Sequence, residues 1–314
     1  MTAEITLETI ENARNRLAPR IRRTPQMALT LDNGQEVLAK LENLQISGSF
    51  KIRGALNTVL GLSQEELERG LVTASGGNHG MGVATAGAMT GTKTTIYLPE
   101  STPHSKVEKL RKIATEVIVE GAVWDDANAL ALAAAKEGKH YVHPFANASV
   151  IAGQGTVGIE IMEDAPDLDI LLVAIGGGGL ISGVASAVKA IKPDIKVIGV
   201  EAIGAPTLKT SLDAGKLTTL EKIETQAGTL APRRSEEINF RIISHLVDDI
   251  VLVSDGEMKK GAEWLWQNVG LGVELSAAAA IAALQSGRFS PAASAKTGVI
   301  ICGAGPDGFD LSGK

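Results

Sequence analysis

From Val37 to Cys302, short apolar β-branched runs alternate with alanine-rich stretches of helical spacing, and this alternation limits what the chain can build. Expected strands are Val37–Leu41, Leu71–Ala74, Thr94–Leu98, Glu116–Val119, Leu171–Ile175, Lys196–Val200, Ile250–Val253 and Val299–Cys302. Helices are predicted between them, among them Asn78–Met89, Ser105–Ile113, Trp124–Lys136, Gly179–Ile191 and Gly256–Asn268. The run Ile170-Leu171-Leu172-Val173-Ala174-Ile175 is apolar throughout, as a parallel strand buried on both faces must be. Strand–helix alternation implies an α/β fold with mostly parallel sheets and right-handed crossovers. The stretch Gly204–Glu237 breaks the pattern, and its Pro206, Pro232 and Arg233-Arg234 predict surface loops.

At 314 residues the chain has material for about two domains, or one large α/β domain. A net charge of −6 supplies no basic patch and argues against nucleic acid as a partner. The single cysteine, Cys302, excludes an internal disulfide and suits a reducing cytoplasm. The first residues carry no basic and apolar pair of segments of the signal-peptide kind. No apolar run reaches the roughly 18 residues of a membrane span, so no membrane partner is expected.

In open α/β sheets, ligands sit beyond the carboxyl ends of strands, and the chemistry-bearing residues cluster at such places here. Ser47-Gly48-Ser49-Phe50-Lys51-Ile52-Arg53-Gly54 sets a lysine among small residues. Burial and a neighbouring positive charge would make Lys51 a Schiff-base nucleophile, with Arg53 contributing if its side chain turns toward the site. Ser75-Gly76-Gly77-Asn78-His79-Gly80-Met81-Gly82 follows a strand and opens a helix. It reads either as an anion site or as a turn capped by Asn78. Gly176-Gly177-Gly178-Gly179-Leu180 is the sharper anion signal, because four consecutive glycines weaken a strand-to-helix junction unless something compensates. Gly303, Gly305 and Gly308 spell G-x-G-x-x-G, but Pro306 interrupts it and no βαβ unit can follow, so the dinucleotide reading fails. Those glycines still predict close backbone approach to a ligand.

A reactive lysine, a Ser/Asn-bearing glycine loop and a tetraglycine loop together match the needs of pyridoxal 5′-phosphate (PLP). The sequence resembles the fold-type II PLP enzymes, the threonine/serine dehydratase (ammonia-lyase) and serine racemase group. The likeness runs through Ser49–Ala55, Ser75–Gly80, Ile151-Ala152-Gly153-Gln154-Gly155-Thr156, the tetraglycine and Val273-Glu274-Leu275-Ser276. It implies a tryptophan synthase β-like fold. The large PLP-binding domain would comprise residues 1–47 and 146–314, and a small mobile domain residues 48–145. It implies that Lys51 holds the cofactor by a Schiff base and removes the substrate Cα proton. Gly176, Gly177, Gly178, Gly179 and Leu180 would bind the phosphate, with Phe50 nearby. Asn78 would meet the ring 3′-oxygen. Ser75, Gly76, Asn78, His79 and Gln154 would surround the substrate carboxylate, and Ser75 would also take part in catalysis.

Departures from the family pattern sharpen the expectation. At the ring nitrogen the family carries a neutral hydroxyl, and here the matching residue is Cys302. A thiol is a weak donor and acceptor, so the ring nitrogen stays unprotonated and prompt loss of a β-hydroxyl is favoured. The cofactor phosphate is then the expected general acid for that hydroxyl. Racemases of the group carry a serine where this chain has Gly76, which disfavours racemisation. Relatives bind a divalent cation through a glutamate, a carbonyl and an aspartate. Glu201 and Ala205 match the first two, but Thr207 replaces the aspartate, which lowers affinity for Mg²⁺ or Ca²⁺. Ala146-Asn147 and Ala227-Gly228-Thr229 also depart from the family, at positions expected to lie outside the cofactor contacts. The sequence as given ends at Lys314, so the regulatory domain that brings feedback control by isoleucine is not expected. The leading expectation is a cytoplasmic PLP-dependent ammonia-lyase acting on L-threonine or L-serine, and a homodimer, since members commonly dimerise. Alternatives are dehydration of 3-hydroxyaspartate, phenylserine or a hydroxyectoine-derived amino acid, serine racemisation, or non-catalytic binding of PLP or an amino acid.

Overall fold

A computed structural model describes residues 5–309. Its ten strands are β1 Gln26–Thr30, β2 Glu36–Lys40, β3 Leu71–Ala74, β4 Thr94–Leu98, β5 Glu116–Val119, β6 His140–Tyr141, β7 Ile170–Ala174, β8 Lys196–Ala202, β9 Asp249–Val253 and β10 Thr297–Ile300. The helices in chain order are α1 Leu7–Leu17, α2 Lys51–Val59, α3 Gln64–Arg69, α4 Asn78–Thr90, α5 His104–Arg111, α6 Trp124–Lys136, α7 Ala148–Asp164, α8 Gly179–Ile191, α9 Thr207–Asp213, α10 Glu237–Leu246, α11 Asp255–Trp264 and α12 Leu275–Gln285.

The strands form two sheets. One has six strands in the order β1-β2-β10-β7-β8-β9, and only β1 runs antiparallel to its neighbour. The other has four parallel strands in the order β5-β4-β3-β6, all drawn from residues 71–141. The apolar β7 occupies an interior place in the larger sheet, with Leu171, Leu172 and Val173 at 0% exposure. Burying each such side chain contributes about 1.5–3 kcal/mol. Among the described residues, no helix is long and apolar enough to cross a membrane.

Sequence periodicity missed β1 and β6. Both are short, and β1 carries an exposed Met27 on an edge, so neither shows buried-strand alternation. The last strand ends at Ile300, two residues before its expected end, which leaves Cys302 beyond the carboxyl edge. The helix expected over 256–268 begins at Asp255 and closes with a π turn over Leu265–Val269. The irregular stretch Gly204–Glu237 is loop except for α9 and a 3₁₀ turn, Gly228–Leu230. Asn147, one of the departures, caps α7 through its side chain on the Ser149 amide at 2.8 Å.

Helix α2, which starts at Lys51, is held tightly on two sides. A Cβ at Gly82 in α4 would approach the Lys51 carbonyl carbon to 3.1 Å, and one at Gly153 in α7 would approach the Arg53 carbonyl oxygen to 2.5 Å. Only hydrogen in place of a side chain permits both crossings. Arg53 then points into a fully buried charge cluster. Its guanidinium donates to Glu42 at 2.7 and 2.8 Å and to Glu160 at 2.7 and 2.9 Å, and Lys40 reaches Glu160 at 2.6 Å. Lys40 also donates to the Thr24 carbonyl at 2.7 Å. Two cations thus face two carboxylates, so the burial is compensated in charge and in hydrogen bonds. The carboxyl of Glu42 lies below its usual range: Arg53 and the Thr24 hydroxyl outweigh the opposing effect of its burial. Replacing Arg53 alone strands two buried carboxylates beside one lysine. Arg53→Met is expected to destabilise the protein by about 3–5 kcal/mol in urea unfolding, and adding Glu42→Gln is expected to recover part of the loss.

Candidate active site

The carboxyl edges of β10 and β7, the start of α2 and the start of α8 converge on one pocket. The loop before α2 is stitched to the chain after β10. Ser49 bridges Gly303, and the Phe50 amide donates to the Cys302 carbonyl at 3.2 Å. Lys51 therefore enters the pocket as the first residue of its helix, beside Cys302. Its amine donates to the Pro144 carbonyl at 2.7 Å. Desolvation pushes it from 10.5 down to about 8, and the nearby Cys302 and Glu274 only partly oppose this. Arg53 has no share in that shift, because its side chain is committed to Glu42 and Glu160. The expected help from Arg53 is thereby corrected.

Opposite Lys51 lies the tetraglycine loop, which joins β7 to α8. Each glycine has a packing reason. A Cβ at Gly176 would meet the Thr229 carbonyl at 2.5 Å, one at Gly177 would collide with the Phe145 ring at 2.3 Å, and one at Gly179 would meet the Phe145 carbonyl at 2.6 Å. Gly178 adopts φ +92°, in the left-handed region that suits glycine. Packing thus supplies part of the compensation that four consecutive glycines require. Among the described residues, the amides of Gly176, Gly177 and Gly178 donate to no backbone or side-chain acceptor. Free amides at the start of a 13-residue helix form an anion cradle.

Phe50, Lys51, Asn78, the four glycines, Leu180 and Cys302 all line this pocket, which is partly open to solvent. A fit to PLP follows from the residues present: an amine of lowered proton affinity at one end and unclaimed amide donors at the other.

The wall between these ends holds a network that the sequence reading did not assign. Glu274 accepts the Asn78 amide at 2.8 Å and the Ser276 hydroxyl at 2.6 Å on the same oxygen, and Thr229 donates to Ser276 at 2.7 Å. Burial raises the Glu274 carboxyl above its ordinary value, with Ser276 and Asn78 opposing. Burial, then the Glu274 charge, pushes the Cys302 thiol far up, so it is neutral. Thr229 lines the pocket, which corrects the expectation that Ala227–Thr229 lies outside the cofactor contacts. A lone glutamate in an apolar run with no basic partner, Val273-Glu274-Leu275, was the available signal.

The third glycine motif packs on protein. A Cβ at Gly303 would lie 2.6 Å from the Glu274 carboxylate and one at Gly305 would lie 2.9 Å from the Glu274 backbone, so the close approach expected to a ligand is made to Glu274. Gly77 and not Asn78 is the cap of α4, which frees the Asn78 side chain for Glu274.

The remaining candidates lie around the pocket without lining it. The Ser75 hydroxyl accepts the Gly77 amide at 3.3 Å. A Cβ at Gly76 would meet the Thr102 methyl at 2.9 Å. His79 Nε2 sits 2.9 Å from the Val142 carbonyl, so its proton is on that nitrogen, and burial lowers its pKa to about 3. His143 accepts the amides of Phe145 and Ala146 on Nδ1 and is lowered by burial to about 4. Both imidazoles are neutral near pH 7. Gln154 is 1% exposed and lies where α2 crosses α7, beside Gly54.

Glu201 is committed to the fold. Its two oxygens accept the amides of Leu208 at 2.8 Å and Lys209 at 2.9 Å, at the start of α9. The Ala205 carbonyl takes the Thr207 amide at 2.9 Å and the Thr207 hydroxyl donates to Pro232 at 2.7 Å. The expected cation ligands are thus occupied by protein groups, and among the described residues no cluster of three or more His, Cys, Asp or Glu could hold a metal. The residues do not fit a divalent cation.

The family model described as "Pyridoxal-phosphate dependent enzyme" matches residues 17–303. The L-threonine ammonia-lyase of Thermotoga maritima is 41% identical over 284 residues, covering 89% of this chain and 71% of that protein. The catabolic L-threonine dehydratase TdcB of Escherichia coli K12 is 38% identical, covering 90% of this chain and 88% of that protein. Among solved structures, maize serine racemase superposes with a TM-score of 0.92 at 34% identity, covering 99% of this chain and 95% of that one. With a lysine facing a glycine-loop anion cradle and a family match across most of its length, the chain belongs to the pyridoxal-phosphate dependent enzymes.

Proposed function

We propose that this protein is an ammonia-lyase that converts a β-hydroxy-α-amino acid, L-threonine or L-serine first, to a 2-oxo acid and ammonia. The observation that carries the reading is one pocket holding both the lowered Lys51 amine and the free amides of the glycine loop. Relatives named L-threonine ammonia-lyase and L-threonine dehydratase support it.

PLP, when bound, supplies an electron sink for the pair left at the substrate Cα. The protein does the rest. Lys51 would hold the cofactor aldehyde carbon through its amine and, once the substrate amine had replaced it there, would be the free neutral amine that takes the Cα proton. The amides of Gly176 to Gly179 and the start of α8 hold the phosphate. Asn78, fixed by Glu274, would face the ring oxygen. Ser75, Gly76 and His79, which lie around the pocket beside Asn78, would meet the substrate carboxylate. Cys302, which lines the pocket as a neutral thiol, would meet the ring nitrogen, keeping the sink weak and favouring early departure of the β-hydroxyl. Water leaves and is regained, so the net products are the 2-oxo acid and ammonia.

In this reading residues 48–145 form the smaller, mobile domain, the enzyme is a cytoplasmic homodimer, and no divalent cation is needed. Likeness to a serine racemase raises racemisation as a second reading. Gly76 counts against it, since it offers no proton to the opposite substrate face, and a serine there would also require Thr102 to shift.

Three outcomes test the proposal. Across a panel of β-hydroxy amino acids, 2-oxo acid release should be fastest with L-threonine or L-serine. Lys51→Ala should abolish both release and the visible absorbance of the bound cofactor. A panel without any release would overturn the enzyme reading. Incubation with L-serine should yield pyruvate with little D-serine, and D-serine as the main product would reverse the choice between the two readings. The Lys51 shift gives the pH dependence. Below about pH 8 the amine is charged and unreactive, and above it the amine is neutral, whereas a free lysine stays charged to 10.5. Addition of PLP to apo-protein, followed by absorbance, should therefore accelerate as pH rises through about 8 and then level off.

A further inference from the structure

The glycine loop is oriented from behind by two buried side chains for which its own sequence gives no hint. The Gly177 carbonyl accepts the Ser235 hydroxyl at 2.9 Å and the Asn239 amide at 3.0 Å. Both residues are 0% exposed. Asn239 lies on α10 and also donates to the Phe145 carbonyl at 3.2 Å, so it ties together the two segments that lie against each other at Gly177. The peptide joining Gly177 to Gly178 is planar and trans, so its N–H points opposite to its C=O. With the carbonyl pulled toward α10, the Gly178 amide faces away from α10 and into the pocket. The left-handed Gly178 presents its Cα to Ile243, Leu208 and Asn239, which leaves that amide on the open side.

We propose that Asn239, together with Ser235, is a positioning residue that aims the Gly178 amide at the cofactor phosphate and thereby sets how strongly the pocket distinguishes a phosphorylated ligand from its unphosphorylated counterpart. The inference rests on the PLP reading of the pocket. An isolated loop of four glycines would sample many peptide orientations. Two donors on one carbonyl select one of them before the ligand arrives, so less ordering remains for binding.

The test compares PLP with pyridoxal, which has the same aldehyde and ring but no phosphate, by absorbance titration of apo-protein. The ratio of the pyridoxal to the PLP dissociation constant isolates the phosphate end, because any disturbance of Lys51 through Phe145 affects both ligands. Asn239→Leu, close in volume but unable to donate, should lower this ratio by about tenfold, and Ser235→Ala by roughly two- to fivefold. Asn239→Thr, which keeps a donor, should restore part of it. An unchanged ratio in Asn239→Leu and Ser235→Ala would overturn the proposal. Should Asn239→Leu lose its far-UV circular dichroism, Ser235→Ala alone decides. A wild-type ratio near one would instead overturn the cradle reading itself.

Discussion

The guanidinium of Arg53, gripped by Glu42 and Glu160 inside the protein, is the interaction from which the geometry of the pocket follows. Arg53 lies two residues after Lys51 on the same helix, so fixing one fixes the other. The carboxylates come from the turn after β2 and from α7, and Lys40 closes the cluster from β2. A compensated cluster of this kind contributes little net stability relative to an apolar core of the same shape, but it tolerates only one arrangement. Apolar packing alone would let α2 slide. The cluster and the glycine contacts on both sides of α2 do not, and Lys51 therefore enters the pocket in one register.

Inside the pocket the charges are few and mostly suppressed. Burial lowers Lys51, His79 and His143 and raises Glu274 and Cys302. Each shift favours the neutral form, as a low-dielectric cavity demands. The consequence is chemical. A neutral lysine is a nucleophile and a base, while neutral imidazoles do not compete with the substrate for an anionic partner. The cavity keeps its electrostatic attraction for anions in the peptide amides, which have no proton to lose. The phosphate end thus works over a wide pH range, while the lysine end is tuned near neutrality.

Much of this was legible in the sequence. The continuous apolarity of Ile170–Ile175 announced a buried parallel strand, and three expected strands, Leu71–Ala74, Thr94–Leu98 and Glu116–Val119, match the structure residue for residue. Glycine loops after strands marked where a ligand would lie, because that placement is a rule of α/β sheets. The failures have a common cause. Arg53 and Glu201 were read by their position in a motif, yet each side chain is already taken: Arg53 by Glu160, far along the chain, and Glu201 by the amides at the start of α9. Thr229 was placed outside the site and Glu274 given no role for the converse reason, since only folding brings Thr229 beside Ser276 and Glu274 beside Asn78. Local pattern reveals which backbone can approach a ligand. It does not reveal which side chain is already occupied.

The same distinction explains why the tetraglycine was informative for a partly different reason from the one first given. Four glycines imply a conformational penalty that something must offset, and a bound phosphate would do so. Three of them are demanded by Phe145 and Thr229, which leave no volume for a Cβ, and the fourth by its backbone angle. Packing therefore accounts for the residue type, and the free amides account for the function. The two requirements meet because close packing by Phe145 and by α10 leaves the peptide units of the loop a single way to face. A loop chosen only for flexibility would have to be ordered by its ligand. This one is ordered by its neighbours, and the anion finds its donors already aligned.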